Sequence, residues 1–120
     1  ILKAETLNLI LQPLVENAID HGIDLLTDRR GVITIKGSRC PYINTANENI
    51  DIVCLSVADN GVGMDENMCK SFLTAESKGY GARNVNDRIR LFYGEEYHLE
   101  VKSIVGAGTT ITIKFPVRLM

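Results

Sequence analysis

An apolar run at residues 50–58 is followed directly by the stretch Asp59-Asn60-Gly61-Val62-Gly63-Met64. That run is rich in β-branched residues, so it predicts a buried strand that ends at Asp59. A carboxylate at a strand end can accept hydrogen bonds from the amino group of a ligand. Gly61 and Gly63 lack Cβ atoms and would let a flat or anionic group approach the main chain. By itself the stretch fits a nucleotide pocket and a plain Asp-Asn-Gly turn about equally well.

The composition is typical of a single globular domain. The chain has 120 residues, of which 45% are hydrophobic and 23% are charged, so one core is expected. The net charge of −2 gives no broad basic field for nucleic acid or anionic lipid, and any anion must be bound locally. No apolar run approaches the roughly 20 residues of a membrane span. Cys40, Cys54 and Cys69 form no Cys-x-x-Cys pair, which argues against disulfides and structural zinc.

The N-terminal part predicts an amphipathic helix from about residue 5 to residue 21. Its apolar residues recur at spacings of three and four, and Gly22 is expected to end it. Pro13 implies either a kink or a helix that begins near Gln12, because proline lacks the amide that an interior turn requires. A polar stripe lies opposite the apolar face and contains Glu16, Asn17, Asp20 and His21. From spacing alone, this stripe is either a solvated face or part of a site.

The rest of the chain predicts two strand pairs separated by helices. The elements are strands at 31–37 and 50–59, a short helix at 66–73, a helix at 82–93, and strands at 98–105 and 109–117. Each strand pair is expected to form a hairpin, the first through a turn-rich link at 40–49. Gly79 and Gly81 lead into the longer helix, whose unpaired amides and macrodipole favour an anion. This order predicts an α+β sandwich, a sheet with helices packed on one face.

Four short motifs follow one another in a characteristic order. They are Glu16-Asn17-Ala18-Ile19-Asp20-His21, Asp59-Asn60-Gly61-Val62-Gly63, Gly79-Tyr80-Gly81-Ala82-Arg83-Asn84 and Gly106-Ala107-Gly108-Thr109. The first three resemble, in order, the N box, G1 box and G2 box of the ATP-binding catalytic domain of sensor histidine kinases. Residues 11–18, with Asn84, Arg88 and Tyr93-Gly94, are similar to the LytS-like branch of that family. The resemblance covers nearly the whole chain.

The resemblance implies the Bergerat fold of the GHKL ATPase superfamily. That fold is a two-layer α/β sandwich in which helices cover one face of a mixed sheet and ATP lies between the two layers. Residues 1–120 would then form a single histidine-kinase-type catalytic domain. Because the chain begins with Ile1 and not Met, we interpret it as the C-terminal part of a longer protein.

The resemblance also assigns roles to individual residues. Asp59 would accept a hydrogen bond from the adenine amino group, with support from Thr109. Asn17 would ligate Mg²⁺ through its amide oxygen, a hard ligand of the kind that magnesium takes. Glu16 would act as the general base that helps to activate the acceptor imidazole. The other predicted nucleotide-binding residues are His21, Gly61, Gly63, Lys78, Gly79 and Gly81, and residues 64–78 would form a lid.

The acceptor histidine is expected outside this chain. His21 belongs to the N box, and His98 falls in a predicted strand, where a structural role is expected. The acceptor would lie in upstream dimerisation helices of a homodimeric parent protein, anchored in the bacterial membrane with this domain in the cytoplasm. The parent would pass the phosphoryl group to a cognate response regulator, and no nucleic-acid partner is expected.

Two other functions remain open at the level of the sequence. The first is another ATPase of the same fold, either a serine kinase of the anti-sigma type or a gyrase-like enzyme. The second is a degenerate module that senses nucleotide or docks a protein. Asp20 favours the second, because the family usually has a basic residue at that position, and Ala82 stands where the family usually has leucine.

Overall fold

The computed structural model describes the backbone of residues 4–72 and 82–116 and the side chains of residues 10–72 and 85–116. The order of helices and strands agrees with the sequence prediction. The elements are α1 (Ala4–Ala18), β1 (Ile33–Ile43), β2 (Asn49–Asp59), α2 (Glu66–Ser71), α3 (Ala82–Tyr93), β3 (Leu99–Ile104) and β4 (Gly108–Pro116). A π-helical turn, Ile19–Ile23, continues α1.

The four strands form one sheet in the order β1-β2-β4-β3. Both predicted hairpins, β1 with β2 and β3 with β4, are confirmed. The resemblance implied a mixed sheet, whereas every neighbouring pair among the described strands is antiparallel. Two pairs are joined by short turns, which allow only antiparallel neighbours, and β4 also runs opposite to β2 where the hairpins meet. The two-layer α/β sandwich itself is confirmed.

Strand β1 is longer than predicted, so its predicted end at residue 37 is wrong. Its pairing with β2 runs from Ile33 opposite Asp59 to Ile43 opposite Asn49. The predicted link at 40–49 therefore shrinks to a tight turn in which the Asn44 side chain accepts hydrogen bonds from the amides of Ala46 and Glu48. Most of β1 is exposed. An exposed strand shows no clear alternation of polar and apolar residues, which explains the error.

Helix α1 runs through Pro13 without a break, so a start near Gln12 is wrong. Gly22 does not end the helical segment either. The chain continues through the π-helical turn, and the amide of Asp24 donates to the carbonyl oxygen of Ile19 at 2.8 Å. Gly22 lies in this turn, close to Asp59 at the end of β2.

The core lies between the helices and one face of the sheet. Its largest fully buried side chains are Phe115, Leu14, Ile89, Ile113, Val57 and Val85. These residues belong to α1, α3, β2 and β4, so the two helices pack on the two central strands of the sheet. Among the described helices, none is both long and apolar enough to cross a membrane. The three cysteines are free and half-buried.

Candidate functional site

A solvent-open cleft lies at the end of β2, between the sheet and the helical layer. Its walls come from α1, the π-helical turn, the segment after β2, and β4. The lining residues are Asn17, Ala18, His21, Gly22, Asp59, Met64, Phe72, Thr109 and Ile111. Four residues that the sequence predicted for the site are therefore brought together here, although they lie far apart along the chain.

Asp59 supplies the carboxylate of the cleft. Its Oδ1 accepts a hydrogen bond from the Gly61 amide at 2.8 Å, and the Thr109 backbone also hydrogen-bonds to it. Burial raises the pKa of Asp59 above the ordinary aspartate value, while the two backbone hydrogen bonds act in the opposite direction. When it is ionised, this carboxylate only accepts hydrogen bonds, so it suits a ligand that donates one.

Gly22 and Gly61 bring the π-helical turn against the loop that follows β2. A Cβ atom on Gly22 would lie 2.9 Å from Asp59 Oδ1, and one on Gly61 would lie 2.5 Å from the Cα atom of Gly22. The amide of Val62 donates to the Gly22 carbonyl oxygen at 3.3 Å across the same contact. In this structure the bare Cα atoms thus allow one main-chain segment to approach another. Contact between Gly61 and a ligand stays a prediction.

Gly63 meets the turn between β3 and β4. Its φ of 73° lies in the left-handed region, which glycine adopts without strain. A Cβ atom there would collide with the carbonyl group of Ile104. The neighbouring main chain is joined to the same turn, because the amide of Gly106 donates to Val62 at 2.8 Å. Gly63 therefore lets the segment before Met64 pack against this turn, and its contact with a ligand stays a prediction.

The polar stripe of α1 divides into two parts. Asn17 is only 6% exposed, and both Asn17 and half-buried His21 line the cleft. Glu16 is exposed, and its Oε1 accepts a hydrogen bond from Gln12 Nε2 at 3.0 Å. Asp20 is exposed as well. The predicted metal ligand thus lines the cleft, whereas the predicted base lies on the outer surface of the helix.

Thr109 lies directly opposite Asp59 in the pairing of β4 with β2. Its hydroxyl oxygen is 2.7 Å from the hydroxyl oxygen of Ser103, its partner on β3. Ser103 also accepts a hydrogen bond from the amide of Met64 at 2.7 Å and donates to the carbonyl oxygen of Gly108 at 3.0 Å. Sequence reasoning missed Ser103. The available signal was its position in β3, on the same sheet face as the predicted binding residue Thr109.

Arg29 was also missed, and it links the loop after β2 to the turn between β3 and β4. Its guanidinium donates to the carbonyl oxygens of Asn60, Gly61 and Gly106 at 2.7, 2.9 and 2.8 Å. The Asn60 side chain joins the same region to the segment before β1, because it accepts from the Val32 amide at 2.7 Å. No pattern in the polar loop at 24–32 marked Arg29. Its partners become neighbours only after folding.

The predicted phosphate-binding residues Lys78, Gly79 and Gly81 lie outside the described residues. So does the second half of the predicted lid, residues 73–78. In the described half, Met64 and Phe72 are buried and line the cleft, so this part has apolar anchors that the sequence reading did not count. Between them, α2 is capped by Asp65, whose side chain accepts from the Met68 amide at 2.8 Å.

The cleft combines one carboxylate with apolar walls. Met64, Phe72 and Ile111 provide surfaces for a flat ring, and Asp59 lies at one end as a hydrogen-bond acceptor. Such a combination of apolar walls and a few oriented polar groups is typical of small-molecule sites. Within residues 4–72 and 82–116, no three His, Cys, Asp or Glu residues are grouped to hold a metal ion.

A model of the family described as histidine kinase-, DNA gyrase B- and HSP90-like ATPase matches residues 3–119. The sensor histidine kinase YesM of Bacillus subtilis is 36% identical over 110 residues, which cover 92% of this chain and 17% of that protein. The sensor protein LytS of Oceanobacillus iheyensis is 34% identical over 115 residues, which cover 90% of this chain and 18% of that protein. This chain therefore spans about a fifth of the length of these relatives.

A solved structure supports the fold independently. The histidine kinase domain of a blue-light activated histidine kinase from Erythrobacter litoralis superposes with a TM-score of 0.58. The match covers 92% of this chain and 42% of that chain. The sequence identity is 21%, so this likeness is evidence for the fold alone.

Proposed function

The chain belongs to the family of histidine kinase-, DNA gyrase B- and HSP90-like ATPases, and we propose that it is the ATP-binding catalytic domain of a sensor histidine kinase. The observation that carries this proposal is Asp59, a half-buried carboxylate in one cleft with Asn17 and Thr109. Relatives that are named sensor kinases favour this function over a serine kinase or a docking module. Residues 1–120 would form one such domain of a longer protein.

We assign the adenine of ATP to the described cleft on the chemistry of its lining residues. Its amino group would donate to Asp59, and the apolar side chains Met64, Phe72 and Ile111 would cover the ring. Partial burial raises the pKa of Asp59, which agrees with a carboxylate that is partly shielded from water. Thr109 would add a second polar contact beside it.

Mg²⁺ would enter with the phosphates of the nucleotide. The amide oxygen of buried Asn17 is a suitable ligand, together with phosphate oxygens and water. The ion would neutralise charge on the phosphates, which is its main contribution to phosphoryl transfer. His21 would border the nucleotide, and Lys78, Gly79 and Gly81 would contact the phosphates next to the N-terminus of α3.

The acceptor in this proposal is a histidine of upstream dimerisation helices. Glu16 would help to activate its imidazole as a general base, and the exposed position of Glu16 suits an acceptor that arrives from another segment. The parent would be a homodimer anchored in the membrane with this domain in the cytoplasm, and a response regulator would receive the phosphoryl group. The names of the relatives as sensor kinases support a kinase function with a response regulator as partner.

Calorimetric titration of the chain with Mg-ATP tests the proposal. We expect binding, and we expect Asp59→Asn to weaken it by about 1 to 3 kcal/mol, as for loss of a charged hydrogen-bond partner. Asp51→Asn is the matched control, because Asp51 lies on the same strand but is exposed and pairs with Arg39. Equal affinity of Asp59→Asn and the parent chain would contradict the adenine assignment.

The chain alone is expected to show no autophosphorylation, since the acceptor would be supplied by other helices. Addition of those helices from the parent should restore transfer. Acid-labile label on His21 or His98 of the isolated chain would place the acceptor inside this domain and contradict the proposal.

A further inference from the structure

Ser103 lies at the centre of a small hydrogen-bond network next to the cleft. Its oxygen is 2.7 Å from the Met64 amide, 3.0 Å from the Gly108 carbonyl oxygen and 2.7 Å from the Thr109 hydroxyl oxygen. The side chain is half-buried, and it joins three segments: the start of the predicted lid, strand β3 and strand β4.

The number of hydrogen atoms determines the direction of each bond. A serine hydroxyl carries one hydrogen and can accept two further bonds. The Met64 amide can only donate, and the Gly108 carbonyl oxygen can only accept. Every contact is therefore satisfied when Ser103 donates to Gly108 and Thr109 donates to Ser103. The single hydroxyl hydrogen of Thr109 then points at Ser103, and its free lone pairs remain for the cleft.

The end of the cleft at Asp59 consequently presents acceptors. The ionised carboxylate of Asp59 accepts only, and the Thr109 backbone already bonds to it. With its hydrogen held by Ser103, the Thr109 hydroxyl also accepts. A 6-amino purine donates through its amino group and matches both. A 6-oxo purine has a carbonyl oxygen at the same place and would face two acceptors.

We propose that Ser103 is a specificity-determining residue, which directs the Thr109 hydroxyl so that the site selects 6-amino purines over 6-oxo purines. This inference rests on the proposed function, because it requires a purine beside Asp59. Ser103 acts through Thr109 and does not itself touch the base, so its effect concerns the choice between nucleotides more than overall affinity.

The test compares Mg-ATP with Mg-ITP, which carries a 6-oxo group, by calorimetry on the 120-residue chain. We expect the parent to prefer ATP and Ser103→Ala to reduce the ratio of the two affinities about tenfold, since the freed hydroxyl can turn and donate to the oxo group. Ser103→Thr keeps a hydroxyl and should keep the ratio. Ser38→Ala, on exposed β1, is the control for a serine far from the cleft.

A general loss of stability would weaken both nucleotides alike and leave the ratio unchanged. If Ser103→Ala does not fold, Thr109→Val supplies the test, because it removes the hydroxyl while keeping the shape. It should weaken ATP, and it should not weaken ITP, because it removes one of the two acceptors that would face the oxo group. This inference would be overturned by an unchanged affinity ratio in Ser103→Ala or by equal losses for both nucleotides in Thr109→Val. In either case, ATP binding by the parent chain would still support the proposed function. If the parent binds neither nucleotide, both proposals fail.

Discussion

Arg29→Ala removes the side chain that connects the segments behind the cleft. The guanidinium donates to the carbonyl oxygens of Asn60, Gly61 and Gly106. Asn60 and Gly61 directly follow the cleft carboxylate, and Gly106 lies in the turn that leads to Thr109. The substitution therefore removes hydrogen bonds to the loop after Asp59 and to the turn before Thr109. These two residues lie opposite each other in the sheet.

The expected cost depends on which carbonyl oxygens water can reach afterwards. A hydrogen bond to a charged group contributes about 1.5 to 3 kcal/mol when its partner would otherwise stay unsatisfied. Only the bond to Gly61 is part-buried, whereas those to Asn60 and Gly106 are exposed and would be rehydrated at little cost. We therefore expect the free energy of unfolding to fall by about 2 to 3 kcal/mol. Arg29→Lys should lose roughly half as much, because one ammonium cannot reproduce the planar fork.

Urea unfolding monitored by circular dichroism measures this cost. Arg39→Ala is the matched control, because Arg39 pairs with Asp51 at 2.8 Å on the surface and its side chain is 65% exposed. An exposed ion pair of this kind is expected to contribute less than about 1 kcal/mol. A change below about 0.5 kcal/mol for Arg29→Ala, or one no larger than that of Arg39→Ala, would refute the role assigned to the guanidinium.

Three further predictions concern the cleft. Gly22→Ala would place a methyl group 2.9 Å from Asp59 Oδ1 and should abolish adenosine binding in calorimetry, whereas Gly37→Ala, which meets only the Leu55 side chain, should bind normally. Burial raises the pKa of Asp59, so Asp59 should take up its proton at a pH above the ordinary aspartate value. As the pH falls through that range, adenosine affinity should fall and the free energy of unfolding should rise. Asp59→Asn should remove both effects. Asp20 is exposed, and Asp20→Lys should strengthen ATP binding by about 1 kcal/mol, with a smaller gain at high salt. The gain for adenosine, which has no phosphates, should be smaller. Equal gains for the two ligands would show that residue 20 does not face the phosphates.

Local patterns and short motifs in the sequence predicted the type and order of the helices and strands, and the family. Helix α3 was predicted at 82–93 and is observed at Ala82–Tyr93, because its apolar period and the following Gly94 are local signals. The end of β2 at Asp59 follows from a short apolar run in the same way. Such features depend on residues that are close together in the sequence, so they can be predicted from the sequence alone.

The contacts that hold the cleft in shape join segments that are far apart in the sequence. The bonds from Arg29 span 31 to 77 residues of sequence, and the contact of Gly22 with Asp59 joins the π-helical turn to the end of β2. Ser103 likewise controls Thr109 through the register of β3 with β4. These contacts leave no periodic pattern along the chain. Their geometry arises from the packing of distant segments, which spacing within one segment does not encode.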